Sequence, residues 1–481
     1  MILLIYQQMR YDTQESSKVK VSRTTDKMTQ KVLLLGSGFV AKPTVDILAA
    51  EPGIEVTVAC RTLSKAQALA GTVAKAESID VENTEQLDKA VAAHDLVISL
   101  IPYIHHVKVI ESAIKNKKHV VTTSYISPGI AALESRVKEA GIVVMNEIGL
   151  DPGIDHLYAV KTIEEVHAAN GKITSFLSYC GGLPAAEDSN NPLGYKFSWS
   201  SRGVLLALRN SAKFYENGKI VNVDGPDLMS TAKPYFIYPG YAFVCYPNRD
   251  STPYRELYNI PEAEDCVRGT LRYQGFPEFI KVLVDLGFLD DTPQEFLNTP
   301  APWKEVFAKV TGAKSTSEQD LIAAVDAKAP TLKSNADPSL QQRILGGLQW
   351  LGLFSDAKTI PRGNPLDTLC ATLEEKMQFE DGERDLVMLQ HKFGIEWPCG
   401  KKEIRTSTLC LNGDPYGQKD GYSAMARLVG VPCAVATKQV LRGQFKNPGV
   451  YAPITKEVAF PLLEELKKDH GIELTEATQT A

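Results

Sequence analysis

Residues 32–43 read VLLLGSGFVAKP, an apolar run that breaks at two glycines and leads into a proline. The spacing Gly36-x-Gly38-x-x-Ala41 between a strand and a helix is that of a dinucleotide-binding turn. Gly36 permits a tight turn, Gly38 lets a pyrophosphate approach the backbone, and Ala41 leaves room for helix–strand packing. The helix N-terminus adds amide donors for phosphate. The stretch predicts a nucleotide site, the other interpretation being an ordinary glycine turn.

Strand and helix patterns alternate downstream of this turn. Apolar runs at 54–59, 96–101, 119–122 and 142–145 predict strands, and segments at 43–48, 107–116 and 131–140 predict helices. Buried strands separated by helices of about ten residues are typical of a parallel, doubly wound sheet. The sequence therefore predicts an α/β protein with a Rossmann-type domain.

The end of the second predicted strand, Ala59-Cys60-Arg61-Thr62, distinguishes between two nucleotides. A carboxylate there binds the ribose 2′-hydroxyl of NAD, whereas an arginine accommodates the 2′-phosphate of NADP. The turn carries no carboxylate, so it favours NADP(H), with Thr62 and Ser64 as further donors; the alternative is that Arg61 is a solvated surface charge. Asp80 is a candidate for the adenine edge, or belongs to a helix N-cap.

Ligands of open α/β sheets bind beyond the carboxyl ends of the strands, so we expect the loops at 100–103, 122–125 and 147–153 to converge. Asp151 lies beside Pro152 and is suited to orienting a substrate amine, although capping of the next helix is an alternative. Three histidines near these loops, His105, His106 and His156, are each more simply explained as packed or exposed neutral rings.

The second half of the chain differs from the first in its residue pattern. Eight of the residues from Tyr235 to Tyr258 are Tyr or Phe, which predicts a half-buried sheet face or a subunit interface. Segments at 386–393 and 405–411 predict paired strands. The predicted division is an N-terminal extension at 1–28, a nucleotide domain at 29–150 with 421–450 packing back on it, a substrate-binding and dimerisation domain at 151–275 and 361–420, and a helical lobe at 276–360.

Composition excludes several classes of protein. With 481 residues, 44% of them hydrophobic, the chain is long enough for two or three domains. A net charge of -6 argues against a nucleic-acid partner. No CxxC pair suggests a metal site, and no apolar stretch approaches the ~20 residues of a membrane span. We therefore expect reduced thiols, no metal and a cytoplasmic location.

Several long segments together resemble the saccharopine dehydrogenase family, specifically the fungal NADP+-dependent, L-glutamate-forming saccharopine reductases. The match runs from about Met28 to near the C-terminus, and the absence of a preceding ketoglutarate-reductase domain favours the single-activity fungal form. The segments are VLLLGSGFVAKP, VACRT, HDLVISLIPY, KHVVTTSYISP, MNEIGLDPGIDHLYA, SYCGGLPA, NPLGYKFSWSSRG, KPYFIYPGYAFVCYPNRDSTPY and VRGTLRYQGFP.

The resemblance implies an oxidoreductase acting on a CH–NH bond in lysine biosynthesis, in which L-glutamate condenses with L-2-aminoadipate 6-semialdehyde and NADPH reduces the imine to L-saccharopine. It also implies a mixed-sheet second domain that forms a homodimer and carries an all-helical lobe. Two alternatives remain open from sequence: a related imine-reducing enzyme such as a carboxynorspermidine dehydrogenase, and a non-catalytic NADP-binding sensor.

The resemblance also implies site residues. Saccharopine carries three carboxylates, which call for guanidinium groups, and we favour Arg249 and Arg272 over Arg268; the alternative is pairing with nearby acids. Asp151 and Tyr125 are the implied catalytic pair. The implied substrate-binding residues are Ser124, Tyr125, Asp151, Arg249, Thr270, Leu271 and Arg272. The implied cofactor-binding residues are Ser37, Gly38, Phe39, Val40, Cys60, Arg61, Thr62, Ile79, Asp80, Leu100, Thr123, Ser124, Leu150, Asp151, Pro152 and Ser200.

Overall fold

The computed structural model describes residues 29–329 and 338–480, so the extension predicted at 1–28 lies outside the described residues. A seven-stranded sheet carries the glycine turn, and every neighbouring pair in it is parallel. Its strands, in spatial order, are β15 (Gly449–Tyr451), β6 (Val143–Met145), β5 (His119–Thr122), β4 (Leu96–Ser99), β1 (Gln30–Leu35), β2 (Ile54–Cys60) and β3 (Lys75–Ser78). The prediction of a Rossmann-type parallel sheet is confirmed.

Six helices connect these strands: α1 (Lys42–Ala50), α2 (Leu63–Ala70), α3 (Thr84–Ala92), α4 (His106–Asn116), α5 (Pro128–Ala131) and α6 (Glu134–Ala140). The single helix predicted at 131–140 is wrong in one respect, because two helices occupy this region. Ser127 starts the first of them by accepting a hydrogen bond from the Ile130 amide at 3.3 Å. This N-cap lies four residues ahead of the predicted start, and the Pro128-Gly129 pair that follows it hides the helical periodicity.

The second sheet is mixed. Its strands are β7 (Lys172–Pro184), β8 (Ala212–Glu216), β9 (Lys219–Val223), β10 (Lys233–Pro234), β11 (Phe243–Pro247), β12 (Asp265–Tyr273), β13 (Asp385–Glu396), β14 (Lys402–Asn412) and β16 (Thr475–Thr480). The order is β10-β11-β12-β7-β13-β14-β16, with β8 paired to β12 and β9 paired to β8. Strands β7 and β12 run parallel and the hairpin β13–β14 is antiparallel, which confirms the predicted pairing of 386–393 with 405–411.

The remaining helices cover this sheet or form a separate lobe. They are α7 (Ile154–Ala168), α8 (Ser201–Ala207), α9 (Tyr254–Leu257), α10 (Phe276–Leu286), α11 (Trp303–Thr311), α12 (Glu318–Lys328), α13 (Pro338–Trp350), α14 (Pro365–Lys376), α15 (Ala424–Leu441) and α16 (Lys456–His470). Between 276 and 360 the described residues form helices and turns but no strand. Phe279, Phe307 and Ile344 share one buried cluster there.

Helix α15 joins the two halves of the protein. It packs against α1, and Thr44 donates a hydrogen bond to the Gly430 carbonyl at 2.9 Å. A Cβ added at Gly430 would lie 2.8 Å from the Val40 carbonyl oxygen, so the helices approach too closely for a larger residue. The chain then returns to the first sheet through β15. Residues far apart in sequence therefore meet directly beside the glycine turn.

Candidate active site

The glycine turn between β1 and α1 has the geometry of a phosphate-binding loop. Gly36 has φ +118°, and a Cβ there would lie 2.7 Å from the Leu100 carbonyl oxygen, so only glycine fits. A Cβ at Gly38 would meet no heavy atom within 4 Å. The backbone of Gly38 is therefore open to an approaching ligand, as a pyrophosphate requires. Phe39, the next residue, is 63% exposed at the mouth of this loop.

The end of β2 forms a polar corner beside this loop. The Ser37 hydroxyl donates to Cys60 Sγ at 3.2 Å, and the Cys60 thiol donates to the Thr62 carbonyl at 3.1 Å. The Arg61 side chain is exposed and has no ion-pair partner in the described ranges, while Ser78 fixes its backbone by donating to the Arg61 carbonyl at 3.0 Å. An unpaired guanidinium beside hydroxyl and amide donors fits a nucleotide with an additional phosphate.

Ile79 and Asp80 lie next to this corner. Ile79 is buried, whereas Asp80 is exposed and accepts a hydrogen bond from the Glu82 amide at 3.0 Å. The N-cap of α3 is Asn83, whose side chain accepts from the Gln86 amide at 3.1 Å. The Asp80 carboxylate is therefore not the cap and remains accessible to a ligand.

A cavity of about 270 Å³ opens beyond the carboxyl ends of the parallel strands. Helix α15, strand β12 and the loops after β5 and β6 contribute to its wall. Nine residues that sequence reasoning selected line it: Val40, Thr123, Tyr125, Leu150, Asp151, Pro152, Arg249, Thr270 and Arg272. Residues that it missed line the remainder, among them Cys180, Trp199, Tyr246, Asn248, Met425 and Val429.

Asp151, in the wall of this cavity, belongs to a charged cluster with Arg268 and Asp155, which are buried and do not line the cavity. Asp151 Oδ1 accepts a hydrogen bond from the Tyr125 hydroxyl at 2.9 Å and another from Arg268 Nη2 at 2.6 Å. The same Arg268 nitrogen binds Asp155, whose other oxygen accepts from the Gly153 amide at 2.6 Å. Asp155 thus fixes the start of α7. Asp151 instead faces the cavity and does not cap that helix.

The surroundings shift the pKa values of Asp151 and Asp155 in opposite directions. Burial raises the pKa of Asp151 above its ordinary value. The Arg268 charge lowers this pKa but offsets only part of the effect of burial, and the Asp155 charge raises it further. Burial also acts to raise the pKa of Asp155, but Arg268, His156 and the Gly153 amide together hold it below its ordinary value. Asp151 is therefore the carboxylate that exchanges a proton more readily. Burial raises the pKa of the Tyr125 hydroxyl well above its ordinary value, so this group stays protonated.

The two other arginines of the cavity are differently placed. Arg272 is 6% exposed, donates to the Leu271 carbonyl at 2.7 Å and lies against the Tyr195 ring with its Cζ 4.9 Å from the centroid. Arg249 lies over the Tyr125 ring at 5.4 Å. Neither has a carboxylate partner within residues 29–329 and 338–480. Arg249 is exposed, but Arg272 is buried, and because a buried unpaired cation is costly, Arg272 calls for an anionic ligand.

Besides the residues of the glycine turn, of the polar corner beside it and of positions 79 and 80, four selected residues do not line the cavity. The Leu271 side chain lies on the opposite face of β12 in a separate apolar cluster, so only its backbone is available to a ligand. Ser200 is an exposed N-cap whose hydroxyl accepts from the Gly203 amide at 3.2 Å. Leu100 is half-buried at the glycine turn, and its carbonyl abuts Gly36. Ser124 is held from behind by His106 Nε2 at 2.9 Å.

The histidines near the site have structural partners. His106 lies between Ser99, at 2.8 Å from Nδ1, and Ser124, and burial lowers its pKa to about 4. His105 contacts Glu82 at 2.7 Å on the surface. His156 is fully buried against Glu147, away from the cavity wall. The neutral-ring interpretation therefore holds for His106, while His156 belongs to a buried polar cluster that sequence reasoning did not predict.

Two comparisons with known proteins agree with this geometry. A family model described as saccharopine dehydrogenase NADP binding domain matches residues 32–145, and one described as saccharopine dehydrogenase C-terminal domain matches residues 149–472. A solved apo structure of saccharopine dehydrogenase (L-Glu forming) from Saccharomyces cerevisiae is 62% identical, with a TM-score of 0.85, and the match covers 94% of this chain and 100% of that one.

Curated relatives are similar over nearly the whole chain. The saccharopine dehydrogenase [NADP(+), L-glutamate-forming] of Pyricularia oryzae is 64% identical over 93% of this chain and 99% of its own length. The alpha-aminoadipic semialdehyde synthase of Bos taurus is 38% identical over 93% of this chain but only 48% of its own length. At this identity and coverage, the chain belongs to the saccharopine dehydrogenase family.

Proposed function

We propose that this protein is an NADP(H)-dependent saccharopine reductase. It would join L-glutamate and L-2-aminoadipate 6-semialdehyde to give L-saccharopine, reversibly, as a step of lysine biosynthesis. The single observation that carries the substrate assignment is Arg272, a buried guanidinium at the cavity wall that the described residues leave without a carboxylate. Relatives more than 60% identical carry the name of this activity.

The cofactor would bind along the carboxyl edge of the first sheet. Gly38 and its neighbours in the glycine turn would hold the pyrophosphate, and Arg61 with Thr62 the 2′-phosphate. Ile79 and Asp80 would contact the adenine. Leu100, Thr123 and the 150–152 turn would border the nicotinamide, with Ser200 approaching from the second domain. The open backbone at Gly38 and the absence of a carboxylate at the end of β2 support this arrangement.

The substrate would occupy the cavity between β12 and the loops after β5 and β6. Arg249 and Arg272 would bind two of the carboxylates of saccharopine, and Thr270 and Ser124 would supply further hydrogen bonds. Both arginines line the cavity, and Asp151 lies in its wall near Tyr125. A ligand with several carboxylates and a central amine matches this distribution of charge.

The chemistry balances with the groups present. In the reductive direction the glutamate amine and the aldehyde form an imine with loss of water, and hydride and a proton complete the secondary amine. NADPH, held by the glycine turn and Arg61, would supply the hydride for the imine carbon. Asp151, whose pKa is raised by burial, would hold the proton near the nitrogen, with Tyr125 donating to its carboxylate. Positioning and exclusion of water would contribute most of the acceleration.

The alternatives are less well supported. A carboxynorspermidine-type enzyme predicts fewer carboxylate-binding arginines, but two unpaired arginines reach this cavity. A non-catalytic sensor does not need the Tyr125–Asp151 hydrogen bond. Neither is favoured by the relatives found at 62–64% identity.

We further propose a homodimer in the cytoplasm, formed through the mixed sheet. Phe236 is 75% exposed and Tyr238 38% exposed in the connection between β10 and β11, where a partner sheet would cover them. Across residues 29–329 and 338–480, no helix has the length and apolarity to cross a membrane. Sedimentation of wild-type protein against a Phe236→Ser variant tests the dimer, which the variant should weaken.

The function is tested by mixing purified protein with NADPH, glutamate and the semialdehyde and following loss of the reduced nicotinamide. We expect oxidation of NADPH only when both carbon substrates are present, with saccharopine as the product by mass. Oxidation with the semialdehyde alone would instead indicate an aldehyde reductase, and no oxidation would favour the sensor.

A further inference from the structure

Glu147 occupies an unusual position next to the active-site loops. It follows β6, four residues before Asp151, and has a left-handed backbone with φ +61°. Non-glycine residues adopt this conformation rarely and at an energetic cost. Glu147 is 7% exposed and does not line the cavity. Its backbone and side chain contact the two residues that flank Tyr125, and its side chain also contacts the buried His156.

Glu147 forms hydrogen bonds with the residues immediately before and after Tyr125. The Glu147 amide donates to the Ser124 carbonyl at 3.1 Å, and Glu147 Oε1 accepts from the Ile126 amide at 2.9 Å. The residues immediately before and after Tyr125 are thus joined to one side chain and its own backbone. These two hydrogen bonds fix the peptide planes from which the Tyr125 ring projects, and with them the direction of its hydroxyl toward Asp151 at 2.9 Å.

The other carboxylate oxygen is held from the interior. Glu147 Oε2 lies 2.7 Å from Nε2 of the fully buried His156, whose Nδ1 lies 2.6 Å from the Tyr258 hydroxyl. Because a carboxylate only accepts, His156 Nε2 carries the proton in this contact. Tyr258 is itself packed against Phe176 of the second sheet. Glu147 is therefore anchored to α7 and to the second domain.

We propose that Glu147, supported by His156, is a positioning residue that sets the orientation of Tyr125 toward Asp151 during saccharopine turnover. The inference rests on the proposed function, since it assigns Glu147 to the same site. It predicts that Glu147 acts through Tyr125 and has no separate effect on cofactor binding. The hydrogen bonds of Glu147 to Ser124 and Ile126 matter to catalysis because displacement of a reacting group by about 1 Å costs up to about a hundredfold in rate.

The test combines three variants, Glu147→Ala, Tyr125→Phe and the double variant, with Glu147→Gln as the conservative replacement. Glutamine keeps an oxygen for the Ile126 amide, and its NH2 group can donate to His156 Nε2 when the ring proton moves to Nδ1 and is donated to the Tyr258 oxygen. Glu147→Gln should therefore retain most of kcat/KM for saccharopine, whereas Glu147→Ala should lose about tenfold or more. In the Tyr125→Phe background, adding Glu147→Ala should cost less than about twofold. The dissociation constant of NADPH should not change. Glu134→Ala, which removes a comparable carboxylate contact with the Val450 amide at 2.7 Å, is the matched control.

Amide hydrogen exchange of the peptide containing 123–127 gives a readout independent of activity. Glu147→Ala should accelerate exchange at Ile126 and Glu147→Gln should not. Equal losses of kcat/KM in the Gln and Ala variants, multiplicative effects in the double variant, or unchanged exchange in the Ala variant would each overturn the proposal. If Glu147→Ala does not fold, the Gln variant alone decides, because a large loss of kcat/KM in that variant contradicts a role for the hydrogen bond from the Ile126 amide. Failure of the proposed function is distinct: the wild type itself would not turn over saccharopine.

Discussion

One nitrogen of Arg268, Nη2, is shared by Asp151, at 2.6 Å, and by Asp155 on the first turn of α7. The guanidinium lies between the rings of Tyr125 and Tyr254, with its Cζ 5.5 and 4.4 Å from their centroids. Asp155 is almost completely buried, whereas Asp151 keeps 18% of its side chain exposed at the cavity. Arg268 therefore serves as an internal counter-ion for the proposed proton carrier, whereas Arg249 and Arg272, which have no carboxylate partner among the described residues, are the arginines proposed to bind substrate.

The Arg268 cluster is expected to be important for stability. Arg268→Ala leaves two buried carboxylates without their cation, and the free energy of unfolding should fall by about 3–5 kcal/mol. Urea denaturation measures this loss. Arg136→Ala, which breaks an exposed pair with Glu111 in the nucleotide domain, should change stability by less than about 1 kcal/mol. Similar losses in the two variants would contradict a special role for the cluster.

The pH dependence of saccharopine oxidation should reflect Asp151. Since burial raises the pKa of Asp151, the group is protonated over a wider range of acidic pH, and kcat/KM should fall there as the carboxylate is lost. Asp151→Asn should lower kcat/KM by at least about tenfold and remove this acidic limb. In Arg268→Gln the limb should move to higher pH, because the charge that offsets burial is gone.

A matched control for the pH profile is Asp88→Asn. Asp88 is a carboxylate of the nucleotide domain whose pKa is lowered, chiefly by its hydrogen bond from Lys115. Its replacement should leave the acidic limb in place. An unchanged limb and undiminished turnover in Asp151→Asn would remove Asp151 from the mechanism.

Cofactor preference should depend on Arg61. Arg61→Ala should raise KM for NADP roughly tenfold, the loss expected for a charge-assisted contact at a partly solvated position, and leave KM for NAD nearly unchanged. Steady-state kinetics with both nucleotides give the answer. The Arg136→Ala variant serves again as a control with an exposed arginine of the same domain. A parallel loss with both nucleotides would mean that Arg61 does not read the 2′-phosphate.

Substrate affinity should depend on Arg272. Arg272→Gln should raise KM for saccharopine roughly 10- to 100-fold, because a guanidinium–carboxylate contact is lost, and should leave the NADPH dissociation constant unchanged. The control, Arg384→Gln, removes an arginine of the second domain that pairs with Glu187 on the surface. If Arg272→Gln weakened NADPH binding and not saccharopine binding, the two subsites would have to be exchanged.

Two glycines on helices should respond in opposite directions to alanine. Gly430→Ala places a methyl group 2.8 Å from the Val40 carbonyl oxygen, which should destabilise the protein by ~1–3 kcal/mol. Gly346 on α13 is exposed with no atom within 4 Å of a Cβ, so Gly346→Ala should stabilise by about 0.5–1 kcal/mol. Thermal unfolding of the two variants checks both signs. Destabilisation by Gly346→Ala would contradict the packing described.

The parts of the fold that local sequence controls were predictable. The turn at Gly36 and Gly38 combines residues within one short segment, and the alternation of strands and helices follows from their periodicity. The helix predicted at 131–140 was misjudged because the cap at Ser127 and the break before Glu134 lie in a weakly periodic segment. The pattern of apolar residues does not show where a short helix begins when the N-cap signal is a single serine hydroxyl.

The charged cluster around Arg268 could not be predicted from the sequence pattern. Arg268 meets Asp151 and Asp155 across 117 and 113 residues, and nothing in its spacing shows that it is neutralised while Arg272 is not. Alternation along β12 places both arginines on one face, which sequence supports, but the partners of Arg268 lie in the loop after β6 and on the first turn of α7, more than a hundred residues earlier. Glu147 was missed for the same reason, although it lies in the quoted segment 145–159.

The most direct test of the account is reduction of nicotinamide nucleotide by the purified protein with L-saccharopine as the only donor. We expect rapid, saccharopine-dependent reduction of NADP with release of glutamate, and much slower reduction of NAD. Absence of reduction while NADPH still binds would contradict the assignment of the cavity to saccharopine.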